Sequence, residues 1–100
     1  MDRIYTIEEI KKISAPVAEK YGVKKLALFG SYARGEQKST SDIDFVIEKG
    51  KLRDWFSFCR FVDMLEKNLN VNVDVHTYDS LKDSFFIDDV MEDEVVLYER

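Results

Sequence analysis

Apolar residues recur at helical spacing in two stretches of the chain. In the first, Thr6-Ile7-Glu8-Glu9 has the form of a capping box, and apolar residues then follow at intervals of three and four up to Tyr21. We expect a first helix that ends near Lys20 and is kinked or divided at Pro16, because proline lacks the amide proton of a helical hydrogen bond. The second stretch, residues 52–69, predicts a longer helix whose apolar face carries Trp55, Phe58, Cys59, Val62, Leu65 and Leu69.

Phe56 falls outside the apolar face of this second helix, on the charged side, and Phe61 falls at the margin. An exposed phenylalanine is either incidental or an anchor for a partner. Cys59 is the single cysteine, and its position predicts a buried free thiol in a protein of a reducing compartment.

Four shorter stretches have the pattern of strands. Residues 26–29 form an apolar run that stops at Gly30. Residues 42–47 and 71–77 alternate apolar and polar positions, as half-buried strands do, and residues 95–98 are apolar.

These elements predict an α+β fold in a single domain that spans residues 1–100. We expect a mixed sheet of about four strands, covered by the two long helices on one face and open on the other. A short helix around residues 85–91 would precede the last strand, which extends the sheet. One proline and four glycines leave no stretch typical of a flexible linker.

Gly30-Ser31 lies where the first strand turns into a short segment able to start a helix. Ser31 would cap that helix, so its hydroxyl and the neighbouring backbone N–H groups would converge on one point and favour a bound phosphate. Arg34, in the same segment, either pairs with a phosphate or has a structural role, in which it bridges to Glu36 or covers apolar surface with its stem.

Asp42 and Asp44 stand two positions apart on the next predicted strand. Both carboxylates therefore point to the same face of the sheet, with Cα atoms about 6.6 Å apart. Oxygen ligands of this kind favour Mg²⁺ or Mn²⁺, and Mg²⁺ commonly takes one or two carboxylates together with substrate phosphate oxygens. An isolated pair is more often a solvated strand face, but the turn at Gly30-Ser31 upstream favours a catalytic pair.

Asp74 offers a third carboxylate on the polar side of its own predicted strand. If that strand lies beside the strand of Asp44, the three carboxylates meet on the open face of the sheet. Asp74 would then be the candidate to accept the proton of an attacking hydroxyl. His76, the single histidine, would lie beside them as a polar strand residue rather than as a base or a ligand.

Three motifs together resemble the minimal nucleotidyltransferase (MNT) family of the DNA polymerase beta-like superfamily: residues 30–35 (Gly30-Ser31-Tyr32-Ala33-Arg34-Gly35), Ser41-Asp42-Ile43-Asp44 and Val73-Asp74-Val75. The resemblance covers nearly the whole chain. It implies a nucleotidyltransferase fold and a site in which Asp42 and Asp44 bind the metal ions. It also implies that Asp74 completes the metal site and serves as the base, while Gly30 and Ser31 hold the triphosphate of ATP.

The resemblance also implies a partner. Family members of this size resemble the antitoxin halves of toxin–antitoxin pairs, which transfer AMP from ATP to a tyrosine of a HEPN-domain ribonuclease toxin. A different class stays open: an antitoxin or regulatory module that blocks its partner by contact, with a vestigial acidic site. Transfer to an aminoglycoside or to tRNA is less favoured, because the first needs an added acceptor domain and the second a basic acceptor surface.

Charge and composition narrow the partners further. A formal net charge of -5 argues against direct binding of nucleic acid, which depends on Lys and Arg neutralising phosphates. Five cations are nevertheless candidates for a local basic rim: Lys24, Lys25, Lys49, Lys51 and Arg53. The sequence has neither a signal peptide nor an apolar run of membrane-spanning length, so we expect a cytoplasmic protein that does not associate with a membrane.

Overall fold

The computed structural model describes residues 5–38, 42–85 and 87–100, so Ser41 of the second motif lies outside the described part. The elements follow in the order α1 (Ile7–Lys20), β1 (Lys25–Phe29), α2 (Gly30–Arg34), β2 (Ile43–Glu48), α3 (Trp55–Leu69), β3 (Val73–Thr77), α4 (Tyr78–Leu81), α5 (Ile87–Asp93) and β4 (Val95–Glu99). Within these residues, no helix combines the length and the apolar character needed to cross a membrane.

The four strands form one mixed sheet in the order β3-β2-β1-β4. β1 is antiparallel to both β2 and β4, whereas β2 and β3 are parallel. The predicted four-stranded mixed sheet is therefore confirmed, as is the expectation that the last strand extends it. The pairing of β2 with β3 also confirms that the strand of Asp44 lies beside the strand of Asp74.

Helix α1 begins as the sequence predicts. Thr6 Oγ1 accepts a hydrogen bond from the Glu9 amide at 3.1 Å, and Glu9 Oε1 accepts one from the Thr6 amide at 3.0 Å. The helix continues through Pro16 to Lys20, so the proline does not divide it, and a kink at Pro16 stays a prediction. Its buried residues pack with those of α3 over one face of the sheet.

Helix α3 begins three residues later than expected, because Asp54 caps it by accepting a hydrogen bond from the Ser57 amide at 2.8 Å. Its fully buried residues are Phe61, Leu65 and Leu69, so the predicted face is confirmed at Leu65 and Leu69 but extends on the side of Phe61. Trp55 is 72% exposed and not a core residue, and Phe61 is buried and not marginal. Cys59 is half-buried, whereas Phe56 is exposed as predicted.

The second face of the sheet is less open than the sequence suggests. Helix α4, which the sequence pattern did not predict, and helix α5 place Leu81 and Val90 against Ala27 and Val46 of the sheet. This small core covers the middle of the second face. The end of that face where β2 and β3 begin carries the predicted carboxylates.

Candidate active site

The register of the central strands brings the predicted residues together. Asp44 pairs with Asp74 across β2 and β3, and with Phe29 across β2 and β1. Gly30 follows Phe29 directly, so it lies beside Asp44. Asp42 immediately precedes β2 and is exposed, and Asp74 is exposed on β3. Gly30, Asp42, Asp44 and Asp74 thus lie at the same end of the sheet.

Gly30 is required at its position by backbone conformation and by space. Its φ of +75° is in the left-handed region, and a Cβ built there would lie 2.4 Å from Asp44 Oδ2. Any other residue would have to displace the carboxylate. The backbone at Gly30 therefore lies directly against the Asp44 carboxylate.

Ser31 occupies a different local role from the predicted one. Helix α2 begins at Gly30 and no side-chain hydrogen bond caps it, so the prediction that Ser31 is the cap is wrong. Gly35, with φ of 72°, ends the helix in the left-handed conformation. The Ser31 hydroxyl is in the first turn of α2, and its role in phosphate binding stays a prediction.

Asp44 has a strongly perturbed carboxyl group. Its pKa is raised from 3.8 to about 6, chiefly by burial and next by the neighbouring Asp74, through its charge and a hydrogen bond between the two carboxyls. Asp42 adds a smaller effect in the same direction, and His76 opposes it. Three carboxyl groups thus interact at this end of the sheet, and Asp44 is at their centre.

His76 lies beside the carboxylates, as predicted. Its ring packs edge-on against Phe29, with 5.6 Å between the ring centroids. Phe29 therefore has two contacts at the site, since its backbone also lies opposite Asp44. Nothing in the sequence marks Phe29 as part of the site, because the last apolar residue of a strand normally serves only the core.

Arg34 adopts one of the two roles left open by its sequence context. Its guanidinium contacts Glu36 at 2.6 Å and Asp93 at 3.5 Å. These ion pairs are partly exposed and therefore weak. Binding of Arg34 to phosphate stays a prediction, and it requires the guanidinium to leave one or both carboxylates.

The residues present suit a divalent cation, although they do not form a compact cage. Among the described side chains, no three Asp, Glu, His or Cys residues converge closely enough to form a metal-binding group. Asp44 and Asp74 are within hydrogen-bonding range of each other, and Asp42 stands apart at the start of β2. Carboxylate oxygens are the ligands preferred by Mg²⁺ and Mn²⁺, and the gap that Gly30 leaves beside Asp44 Oδ2 keeps one of these oxygens accessible.

Comparison with known proteins agrees with this geometry. Residues 10–97 match the nucleotidyltransferase domain family. The chain belongs to this family. The matched stretch contains every described residue of the candidate site, from Gly30 to Asp74.

Relatives and a solved structure extend the comparison. A protein of Methanocaldococcus jannaschii that carries the provisional name protein adenylyltransferase is 46% identical over 79% of this chain and 96% of its own length. The protein adenylyltransferase MntA of Thermococcus cleftensis is 35% identical over 77% of this chain and 82% of its own. The fold also matches a chain in the solved complex of the tri-AMPylated HEPN toxin of Shewanella oneidensis with an MNT antitoxin. That match has a TM-score of 0.65 and 16% identity, and it covers 93% of this chain and 72% of the other.

Proposed function

We propose that this nucleotidyltransferase transfers AMP from ATP to a protein hydroxyl, a tyrosine of a HEPN-domain ribonuclease toxin, and so acts as the antitoxin. The adenylyltransferase names of its relatives and the fold match to an MNT antitoxin support this proposal. The observation that carries it is the cluster formed by Gly30, Asp44 and Asp74, in which a backbone without a Cβ lies against a carboxylate.

The triphosphate of ATP would lie along the turn from β1 into α2. Gly30 leaves space there, and the amide groups of the first turn of α2 have no helical partner because a helix does not bond its first N–H groups. Ser31 would add a hydroxyl donor, and Arg34 a cation released from Glu36. These groups hold the substrate so that its α-phosphate faces Asp44.

Asp42, Asp44 and Asp74 would hold Mg²⁺ or Mn²⁺ between the protein and the phosphates. A bound divalent cation would supply charge neutralisation for the departing pyrophosphate and lower the pKa of the attacking hydroxyl. It would also relieve the repulsion among the carboxylates that contributes to the raised pKa of Asp44. The exposed position of Asp42 gives its side chain the freedom to turn towards such an ion.

The transfer step exchanges one phosphorus–oxygen bond for another. The acceptor hydroxyl oxygen bonds to the α-phosphorus, the bond from that phosphorus to the pyrophosphate oxygen breaks, and pyrophosphate leaves in line with the attack. Asp74 takes the hydroxyl proton. Its exposure allows an acceptor side chain to reach it, and its place opposite Asp44 keeps it beside the phosphate.

The test pairs this chain with the product of the neighbouring reading frame, if that frame encodes a small helical protein with a HEPN-type ribonuclease motif. The two purified proteins are incubated with ATP and Mg²⁺, and the mass and ribonuclease activity of the partner are measured. Asp74→Asn is the diagnostic variant. Asp63→Asn is its control, because Asp63 is an exposed aspartate on α3, which packs on the other face of the sheet.

The wild-type protein and Asp63→Asn should add the mass of AMP to the partner and silence it, whereas Asp74→Asn should add none. Replacing ATP by GTP and Mg²⁺ by EDTA in parallel reactions tests the nucleotide and the ion. A partner that Asp74→Asn silences without any gain in mass would contradict the proposal and establish inhibition by contact. A partner unchanged by the wild-type protein would contradict both.

A further inference from the structure

A second surface lies at the end of the sheet remote from the carboxylates. Two cavities open there, and they share Lys49 and Thr77 in their walls. The register pairs Lys25 with Glu48 at this end and Phe29 with Asp44 at the other. Four residues of strand separate the ends, which is about 13 Å. This second surface therefore belongs to neither the carboxylate cluster nor the turn at Gly30.

One half of this distal surface is basic and aromatic. Trp55 is 72% exposed and stacks on Phe58, with 5.9 Å between ring centroids and 21° between the planes. Two exposed cations, Lys49 and Arg53, line the same cavity as Trp55. Neither takes part in an ion pair with another described residue. On a chain of net charge -5, these two cations are therefore available to a negatively charged partner.

The other half is acidic around an apolar cavity. This cavity, of about 430 Å³, has Ile47, Tyr78 and Met91 in its walls. Met91 is 56% exposed at its rim. Asp88 is exposed and lies on the same side of α5 as Met91, since residues three apart share a helix face. Asp79, also exposed, completes the acidic rim.

Two further carboxylates in this region are engaged within the chain. Asp54 lies in the basic half, and its oxygens accept hydrogen bonds from the amide and hydroxyl of Ser57. Glu48 lies between the halves and pairs with Lys24 at 3.7 Å. The charges left for a partner are therefore positive on the side of Trp55 and negative on the side of Met91.

We propose that the distal surface binds a second copy of this chain about a two-fold axis near Lys49 and Thr77. A two-fold contact places the same surface on both sides, so each basic half meets the acidic half of the other copy. Trp55 of each protomer enters the cavity beside Met91 of its partner, where an indole and a thioether pack well. Lys49 and Arg53 then face the carboxylates of the acidic rim.

This arrangement has a consequence for the carboxylate clusters. Because the contact uses the end of the sheet remote from Asp44, both clusters stay open at the outer ends of the dimer. The inference does not depend on the activity proposed above. Protein interfaces often have an aromatic centre and a polar rim, and a central tryptophan often carries much of the binding energy.

Sedimentation of the purified chain over a range of concentrations measures the association. Two charge-reversed proteins are compared, one carrying Lys49→Glu and Arg53→Glu and the other Asp79→Lys and Asp88→Lys. Trp55→Ala tests the anchor, and Phe56→Ala is its matched control, because Phe56 is an equally exposed aromatic residue of α3 that lines neither cavity.

We expect a dimer of the wild-type chain at about 100 μM, and a dissociation constant raised at least about tenfold by Trp55→Ala but unchanged by Phe56→Ala. Each charge-reversed protein alone should be monomeric, and an equimolar mixture should form dimers because every pair is then complementary again. A wild-type chain that is monomeric at that concentration overturns the inference, as does a mixture that fails to associate. If instead the variants lose binding to the product of the neighbouring reading frame while the wild-type chain is monomeric, the surface is a docking site for that partner and the self-association is refuted.

Discussion

The two ends of the second sheet face differ in how their charged groups are paired. At one end, Asp44 and Asp74 lie side by side and burial, together with their mutual repulsion, raises the pKa of Asp44 to about 6. At the other end, Glu94 accepts hydrogen bonds from Lys25 at 3.0 Å and from the Tyr78 hydroxyl at 2.5 Å. Two carboxyl groups thus lie together at the first end, whereas at the second end the carboxylate is paired with an ammonium and a hydroxyl.

We call the end with Glu94 the compensated end, because its ionisable groups are paired with one another. Burial lowers the pKa of Lys25, but its hydrogen bonds to Glu94 and Tyr78 outweigh this and raise it above its usual value. Burial and the hydrogen bond to Glu94 raise the pKa of Tyr78 to about 12. The Lys25 ammonium also lies over the Tyr78 ring, 4.9 Å from its centroid. Among the described residues, the carboxylates of Asp44 and Asp74 are not paired in this way. A bound cation is therefore expected at their end of the sheet.

The largest effect is expected from Gly30→Ala, which attacks the carboxylate end. A Cβ there meets Asp44 Oδ2 at 2.4 Å and adds left-handed strain, so we expect a loss of about 2 to 4 kcal/mol of unfolding free energy and loss of AMP transfer. Gly35→Ala is the control, because Gly35 has φ of +72° but nothing within 4 Å of its added Cβ. It should cost about 1 kcal/mol and keep the activity. Equal losses in urea unfolding would show that the contact with Asp44 has no cost.

Glu94→Ala breaks the compensated end. It removes the carboxylate that accepts hydrogen bonds from the part-buried Lys25 ammonium and Tyr78 hydroxyl, and the cost should be about 2 to 3 kcal/mol of unfolding free energy. The joint replacement Lys25→Met with Glu94→Leu should cost less than Glu94→Ala alone, because no charge is then stranded. Glu99→Ala, at an exposed position of β4, should change the unfolding free energy by less than about 0.5 kcal/mol. A Glu94→Ala protein as stable as Glu99→Ala would refute the structural role of the cluster.

Asp44→Asn should stabilise the protein when no cation is present. The folded-state pKa of Asp44 is raised, so the group favours folding at pH values below 3.8 and loses this contribution as the pH rises to about 6. In EDTA at pH 7.5 the variant should therefore be more stable than the wild type, by about 1 kcal/mol after allowing for solvent screening at this half-buried site. The difference should shrink towards pH 4.

Added ligand should reverse that order. Mg²⁺ with ATP at about 100 times the dissociation constant stabilises the wild type by roughly 2.7 kcal/mol, and the variant by much less. Urea unfolding from pH 4 to 8, with and without ligand, measures both effects. A wild type that is the more stable protein in EDTA at pH 7.5 would show that the carboxylates do not repel one another.

The smallest effect is expected from Ser31→Ala. Since no side chain caps α2, the variant should change the unfolding free energy by less than about 0.5 kcal/mol. Its rate of AMP transfer should fall by less than about tenfold, because the backbone amides of the turn still hold the phosphates. A stability loss of about 1 kcal/mol or more in urea unfolding would instead restore Ser31 as a helix cap.

The local pattern of the sequence determined most of the fold and which residues could be proposed for the site. The capping box at Thr6 fixes the start of α1, because it satisfies amide groups within four residues of chain. The alternation in residues 42–47 and 71–77 fixes which side chains share a face, because a strand has a period of two. Asp42, Asp44 and Asp74 could thus be proposed as site residues before any pairing was known.

Only the tertiary structure decided how these elements meet. The parallel register that sets Asp44 opposite Asp74 depends on packing of the whole sheet, and so does the 2.4 Å approach of a Cβ at Gly30 to the Asp44 carboxylate. The 3.6-residue period predicts the face of α3 but not where its buried part ends, so Phe61 is buried and not marginal, and the cap at Asp54 leaves Trp55 in the exposed first turn. The cluster of Lys25, Tyr78 and Glu94 joins β1, α4 and the link between α5 and β4, and a contact across 69 residues of sequence has no local signature.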